Sequence, residues 1–262
     1  MKRRALLALA SALPAAPALA RLSHTLLVAG SPAVADLMTA LGEAFRAVRP
    51  DVSIWFEPGG NASAMAAAQN GATDLAALST DLPGHITDGR WHAHLFARTG
   101  LRPVIHPSVG LETVGATALR NLALGRVANW QEIGGPDLPV RPVLFQPMTM
   151  QRRQLDDLLP GVATARTATA GNAADMAAAV MAAPGGIGFL GPDDPPGGTR
   201  PLACDGVPMT RATLLSGRYP LTLSAFLVVF GRASDLGEAF IAFARGPAGQ
   251  RLIAQKRFIR VR

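Results

Sequence analysis

Three short segments of the sequence place hydroxyl or amide side chains between a predicted strand and a predicted helix. They are Gly30-Ser31, Gly60-Asn61 and Met148-Thr149. A helix N-terminus offers unpaired backbone N–H groups and about half a positive charge, so it can hold an anion. For any single turn, ordinary N-capping is the more common role of such residues. Three turns at the carboxyl ends of strands favour an anion site, because ligands of open α/β sheets bind there.

Metal chemistry has weaker candidates. His92 and His94 would lie on one face of a strand, and with Met148 and Met150 they offer the ligand types of a soft-metal site. No spacing typical of zinc or copper sites completes the set. We therefore interpret the histidines as solvated loop residues and the methionines as core residues, and we predict no metal and no cofactor.

Catalytic patterns are also weak. The adjacent carboxylates Asp156-Asp157 and Asp193-Asp194 do not face each other on a helix, and we interpret them as solvated surface groups. The sequence has no G-x-S-x-G, no P-loop and no G-x-G-x-x-G after its first strand. We predict no catalytic residues and a protein that is not an enzyme.

The elements that would position these turns alternate regularly. Residues 24–29, 52–57 and 74–79 have the pattern of short buried strands, with helices starting at Ser31-Pro32 and at residue 64 between them. This βαβαβ order predicts a parallel sheet with helices on its faces. Later strand-like runs are 101–106, 140–145, 185–190 and 219–230. A chain that crosses over near 101–107 and returns near 220–230 would form two lobes.

The N-terminus has the pattern of an export signal. Lys2, Arg3 and Arg4 precede a short apolar run that ends in the small-x-small sequence Ala18-Leu19-Ala20. The run is too short to span a bilayer, which needs about 20 apolar residues. We predict a signal peptide over residues 1–20, cleavage after Ala20 and a periplasmic location.

The scattered distribution of basic residues along the chain argues against nucleic-acid binding. The formal net charge is +7, and without the three basic residues of the predicted signal it is +4, from 22 basic and 18 acidic residues. The bases are scattered and aromatic residues make up only 5%. A nucleic-acid surface would need a basic stripe with stacking aromatics.

The single cysteine, Cys204, forms no internal disulfide, and we expect it to be a buried structural thiol.

Several segments, in this order, resemble phosphate-type solute-binding proteins of ABC importers, which have the type II periplasmic-binding-protein fold. They read LLVAGSPAVADLMTALGEAF, EPGGNASAMAAAQNGATDLAALST, GRVANWQEIGGPDLPV, PGGIGFL, YPLTLSAFLVV and FIAFARGPAGQRLIAQKRFIRV. The resemblance covers essentially the whole chain after the predicted signal. It implies an α/β protein with two parallel or mixed sheets in two lobes joined by two crossover segments. The expected lobe 1 is 21–104 plus 223–262, and the expected lobe 2 is 105–222.

The resemblance also implies where a ligand would bind. The family holds its oxyanion at the first turn, the second turn, the end of the third strand and a turn in the second lobe. In this sequence the candidates at these places or directly beside them are Ser31, Pro32, Ala33, Gly60, Asn61, Ser63, Ser79, Thr80, Asp81, Thr149, Gln151 and Arg152.

The fourth turn departs from the family pattern. Phe145 stands where the family has an arginine, and Met148 to Gln151 replace its Gly-Ser-Gly-Thr. A bidentate guanidinium that would neutralise a phosphate is missing at that place. Arg152 or Arg153, in the first helical turn, could replace it or point to solvent.

From these observations we predict a monomeric binding protein that carries a small ligand, phosphate or another oxyanion, to an ABC permease in the inner membrane. The alternative is a ligand-sensing or interaction protein of the same fold, with an envelope sensor kinase as partner and a different ligand or none.

Overall fold

The computed structural model describes residues 24–79, 89–161 and 167–261, which form an α/β chain with two main β-sheets. The strands are β1 Thr25–Gly30, β2 Ser53–Pro58, β3 Leu75–Ser79, β4 Trp91–Gly100, β5 Arg102–Ile105, β6 Thr113–Val114, β7 Arg141–Phe145, β8 Ala168–Ala170, β9 Gly186–Leu190, β10 Arg200–Pro201, β11 Ala203–Cys204, β12 Thr222–Phe230 and β13 Ile259–Arg260. The α-helices are α1 Ala35–Val48, α2 Asn61–Gln69, α3 Ala116–Ala123, α4 Met150–Leu158, α5 Ala173–Met181, α6 Arg211–Ser216, α7 Asp235–Arg245 and α8 Pro247–Gln255. Short 3₁₀ helices lie at Pro32–Val34, Pro107–Val109 and Trp130–Ile133.

The first sheet has six strands in the order β13-β4-β12-β3-β1-β2. β1 is parallel to β2 and β3, whereas β12 is antiparallel to β3 and β4. The βαβαβ unit predicted for the first part of the chain is therefore confirmed. Because β1 and β3 are parallel neighbours, their carboxyl ends lie at the same edge of the sheet.

The second sheet has five strands in the order β10-β5-β9-β7-β8. β7 is parallel to β8 and β9, and β5 is antiparallel to β9 and β10. The chain passes between the two sheets twice, once between β4 and β5 and once just before β12. At this junction the Tyr219 hydroxyl donates to the Leu101 carbonyl at 2.9 Å. Burial raises the pKa of the Tyr219 phenol, so it stays protonated and remains a donor.

We call the part built on the six-stranded sheet lobe 1 and the part built on the five-stranded sheet lobe 2. β5 pairs with β9 of the second sheet, and β12 pairs with β3 and β4 of the first. We therefore propose lobe boundaries at 100/101 and 221/222, in place of the expected 104/105 and 222/223.

Each lobe has its own hydrophobic core. In lobe 1, Phe45 packs edge to face on Phe240 with ring centroids 5.4 Å apart, between sheet and helices. In lobe 2, Trp130, Phe145 and Tyr219 are fully buried, and the Trp130 indole donates to the Gly185 carbonyl at 2.8 Å. Burying such a side chain contributes about 2 kcal/mol or more. The two cores thus hold the residues at the facing edges of the lobes in fixed positions.

The structure corrects the interpretation of the histidine pair. His92 and His94 lie on β4, a ten-residue strand in the first sheet, rather than in a loop. Across the described ranges, no helix is both long and apolar enough to cross a bilayer.

Candidate functional site

Ser31 and Ser79 lie at the carboxyl ends of β1 and β3. Ser31 directly follows β1, and its backbone N–H donates to the Ala77 carbonyl at 2.9 Å. A Cβ on the preceding residue, Gly30, would lie 2.4 Å from that carbonyl oxygen, so this close approach requires glycine. Both serines are buried, at 0% and 2% exposure. The structure therefore brings these two predicted site residues together.

The two serine hydroxyls converge on one carboxylate oxygen. Ser31 Oγ donates to Asp157 Oδ2 at 2.7 Å, and Ser79 Oγ donates to the same oxygen. The backbone N–H of Ala33 donates to Ser31 Oγ at 3.1 Å and so fixes the orientation of that hydroxyl. Asp157 belongs to α4 of lobe 2, whereas the serines belong to lobe 1. The contact therefore joins the two lobes.

The second predicted turn supports this arrangement from the side. The N–H groups of Gly59 and Gly60 donate to the Gly30 carbonyl at 2.9 and 3.0 Å. Asn61 Oδ1 accepts the Ser79 N–H at 3.1 Å, so Asn61 holds the strand end that carries Ser79. Ser63 Oγ instead donates to the Gly59 carbonyl at 2.5 Å and faces its own loop. Asn61 is thus bound to the strand end that carries Ser79, while the Ser63 hydroxyl donates to carbonyls of its own turn.

The fourth predicted turn forms the start of α4. Thr149 is its N-cap, with its hydroxyl accepting the Arg152 N–H at 3.2 Å. Arg152 is buried, and its Nε donates to Asp156 Oδ1 at 2.8 Å, four residues on. Gln151 lies beside a small cavity between the lobes that Thr99 also lines. Pro32 is the first residue of the 3₁₀ helix that follows Ser31, and α4 packs against this helix.

Phe145, in the place of the family arginine, does not reach this site. It is 0% exposed, pairs with Ala170 across β7 and β8, and belongs to the lobe 2 core. Met148, three residues later, is 76% exposed and has φ of +73°. The predicted candidates Thr80 and Asp81, like the predicted signal peptide, lie outside the described residues.

Sequence reasoning missed Asp157. The sequence pattern predicts solvated carboxylates at Asp156 and Asp157, and Asp157 is indeed exposed, yet each carboxylate has a specific partner. The signal was helical spacing, because Met150, Gln154, Asp157 and Leu158 fall on one face of α4. Met150 and Leu158 pack against the lobe 1 core, and Gln154 is 4% exposed. The apolar Met150 and Leu158 indicate from the sequence that this face is packed, but they do not indicate what Asp157 binds.

A second interlobe contact lies near the small cavity. Arg257 Nη1 lies 2.5 Å from Asp194 Oδ1, and the Asp194 side chain is only 4% exposed. The other oxygen of this carboxylate accepts the Gly191 N–H at 2.7 Å. Asp194 follows β9 of lobe 2, and Arg257 follows α8 of lobe 1. The interpretation of Asp194 as a solvated carboxylate is therefore wrong.

The remaining candidates lie elsewhere. His92 and His94 line a separate surface cavity of about 270 Å³ with Glu238 and Arg232, away from the two methionines. Burial lowers the pKa of His94, and the nearby Arg245 lowers it further. No group of three or more metal-ligating side chains occurs among the described residues.

Cys204 is buried as expected, and burial raises the pKa of its thiol to about 11.

Comparison with known proteins agrees with this architecture. A family model described as PBP superfamily domain matches residues 15–246. The phosphate-binding protein PstS of Bacillus subtilis is 24% identical over 240 residues, which cover 88% of this chain and 78% of that protein.

Solved structures of low sequence identity share the fold. An ABC-type phosphate transport receptor from Vibrio cholerae superposes with a TM-score of 0.74 at 19% identity, over 89% of this chain and 99% of that one. PstS from Borrelia burgdorferi superposes with a TM-score of 0.74 at 16% identity, over 91% of this chain and 99% of that one. The expected two-lobed α/β fold is thus confirmed.

Proposed function

This chain belongs to the PBP superfamily, and we propose that it is the exported substrate-binding protein of an ABC importer. Its ligand is phosphate or another small oxyanion, held between the lobes by a hinge movement of one lobe toward the other. The protein then delivers the ligand to the permease in the inner membrane. The role is binding without catalysis, by a monomer.

The observation that carries this proposal is the convergence of the Ser31 and Ser79 hydroxyls on one negatively charged oxygen. Two buried donors at adjacent strand ends form the kind of site that binds an oxyanion, because hydrogen bonds to a charged acceptor are stronger than neutral ones. The place also fits the rule that ligands bind at the carboxyl ends of strands in open α/β sheets. The relatives named phosphate-binding protein and phosphate transport receptor support the choice of ligand.

Isothermal titration calorimetry of the chain that begins at Arg21 tests the ligand. We expect saturable binding of one anion per chain for at least one of phosphate, sulfate, molybdate and arsenate. Absence of heat with all four anions would refute the oxyanion proposal.

A sensing or interaction role in the envelope is the second candidate. Two observations favour it: Phe145 is buried in the lobe 2 core, so no guanidinium from that position neutralises an anion, and the serine pair already binds Asp157. Neighbouring genes for a permease and an ATPase would support transport, whereas a neighbouring histidine kinase gene would support sensing.

The proposed location is the periplasm, with the signal peptide removed after Ala20. N-terminal sequencing of the protein from a periplasmic fraction should read Arg21-Leu22-Ser23. An Ala20→Arg variant should remain unprocessed, because the cleavage site requires a small residue there. Processing of that variant at the same bond would contradict the assignment.

A further inference from the structure

We propose that Asp157 is an intramolecular ligand of the serine pair, and that a soluble oxyanion binds between the lobes only by displacing it. The inference rests on the proposed function for the identity of the competitor. The structural part of the proposal, that a carboxylate of lobe 2 holds the two lobes together, depends only on the hydrogen bonds of Asp157 to Ser31 and Ser79.

The first argument is the number of donors. A serine hydroxyl has a single O–H hydrogen to donate. The hydroxyls of Ser31 and Ser79 both direct that hydrogen at Asp157 Oδ2. Neither can donate to an external anion until the carboxylate leaves, so internal and external anions compete for the same two donors.

The second argument is the position of Asp157 on its helix. It lies in the last turn of α4, Met150–Leu158, where the negative end of the helix dipole disfavours a carboxylate. Its neighbour Asp156 is paired with Arg152 on the same helix. Asp157 instead extends to donors of the other lobe, which compensate for an otherwise unfavourable place.

The third argument is access. Asp157 is exposed, whereas Ser31 and Ser79 beneath it are buried. Moving α4 away from the 3₁₀ helix Pro32–Val34 would expose both serines, and it would also break the contacts of Met150 and Leu158 with the lobe 1 core. An anion that entered with Asp157 still in place would meet a like charge within a few ångströms, which is unfavourable. Displacement is therefore coupled to separation of the lobes.

The test compares Asp157→Ala and Asp157→Asn with the wild-type chain. Glu112→Ala is the charge-matched control, because Glu112 is an exposed carboxylate elsewhere on lobe 2. Titration with inorganic phosphate measures competition. Small-angle X-ray scattering without any added anion measures how far the lobes separate.

We expect Asp157→Ala to bind phosphate about tenfold more tightly than wild type or more, since a hydrogen-bonded charged competitor is removed. Asparagine keeps the shape and an acceptor oxygen but not the charge, so its affinity should fall between the two. Without anion, Asp157→Ala should have a larger radius of gyration than wild type, and Glu112→Ala should match wild type in both measurements.

Wild-type or weaker phosphate affinity in a folded Asp157→Ala chain would overturn the displacement proposal. If that variant does not fold, an Asp157→Asn affinity no higher than wild type would overturn it equally. If no variant binds any oxyanion but Asp157→Ala still opens the lobes, the proposed ligand is wrong and the internal contact stands. An unchanged radius of gyration in Asp157→Ala would refute the contact as a closing device.

Discussion

The hydroxyl of Ser31 in lobe 1 donates to Oδ2 of Asp157 in lobe 2 at 2.7 Å. The two residues are 126 positions apart and lie on different sheets. This hydrogen bond therefore requires that the two lobes are in contact, and it occupies one donor of the proposed anion site.

In the Asp157→Ala chain, where no internal carboxylate competes for the hydroxyl, replacing Ser31 with alanine should weaken phosphate binding by about tenfold or more, because a donor to a charged oxygen contributes about 1.5–3 kcal/mol. It should also lower the free energy of unfolding by about 1 kcal/mol, because Ala33 N–H loses its capping acceptor. Calorimetry and urea denaturation measure the two effects. Ser53→Ala, at an exposed serine of the same lobe, is the control and should change neither. Unchanged phosphate affinity when Ser31→Ala is added to Asp157→Ala would show that this hydroxyl does not bind the anion.

Replacing Arg257 with alanine should lower the free energy of unfolding by about 1–2 kcal/mol, because the buried Asp194 carboxylate loses its ionic partner. This decrease is smaller than the one expected for a fully buried ion pair, because the Arg257 side chain is 60% exposed. Arg257 has φ of +62°, so Arg257→Gly should be about 1 kcal/mol less destabilising than Arg257→Ala. Urea denaturation measures both.

The exposed pair Arg49–Asp51 provides the comparison. Arg49→Ala should leave the denaturation midpoint unchanged, because exposed ion pairs contribute little. Equal effects of Arg49→Ala and Arg257→Ala would show that burial of Asp194 does not matter.

The free energy of unfolding should fall as the pH drops below about 6.5, the ordinary pKa of histidine. Burial lowers the pKa of His94 in the folded chain. The unfolded chain therefore takes up the proton first, and stability that is complete above pH 6.5 is lost as the pH falls toward the folded value. Urea denaturation at several pH values between 8 and 5 should show a smaller decrease in His94→Gln than in wild type. An identical decrease in both chains would assign the effect to other groups.

Restoring the family arginine at position 145 should not restore a phosphate site. Phe145 is fully buried in the lobe 2 core, and an arginine there would place a charge among apolar side chains. We expect Phe145→Arg to unfold lobe 2, and Phe145→Ala to lower the free energy of unfolding by about 3 kcal/mol or more. Phe145→Leu should lower the free energy of unfolding by less than Phe145→Ala does, because leucine leaves a smaller cavity. A folded Phe145→Arg chain that binds phosphate more tightly than wild type would contradict this expectation.

Much of the fold was predictable from local patterns. The strands that end at Gly30 and Ser79, with the helix between them, follow from apolar runs bounded by Ser-Pro and glycine signals, which act over a few residues. The histidine strand was missed because His92 and His94 are polar residues on a strand whose pairing with β12 is decided by a segment more than 120 positions later.

The candidate site was predictable in part. Ser31 and Ser79 followed from their places at strand ends, and Asn61 lies beside them through its bond to the Ser79 N–H. For Arg152 the sequence permits either the cleft or solvent, and the structure instead buries this side chain with Asp156 as a partner. Asp157 was missed because two adjacent carboxylates on a helix have the same local pattern whether they meet water or another lobe.

The family, the alternation of strands and helices, and the serines at the ends of β1 and β3 follow from the amino-acid sequence, since these depend on short-range patterns and on the order of motifs. The group that those serines bind is set by the packing of the two lobes. The approach of α4 to the first lobe depends on packing of Met150 and Leu158 against the lobe 1 core. That packing brings together residues 126 positions apart, a distance over which no local pattern carries information.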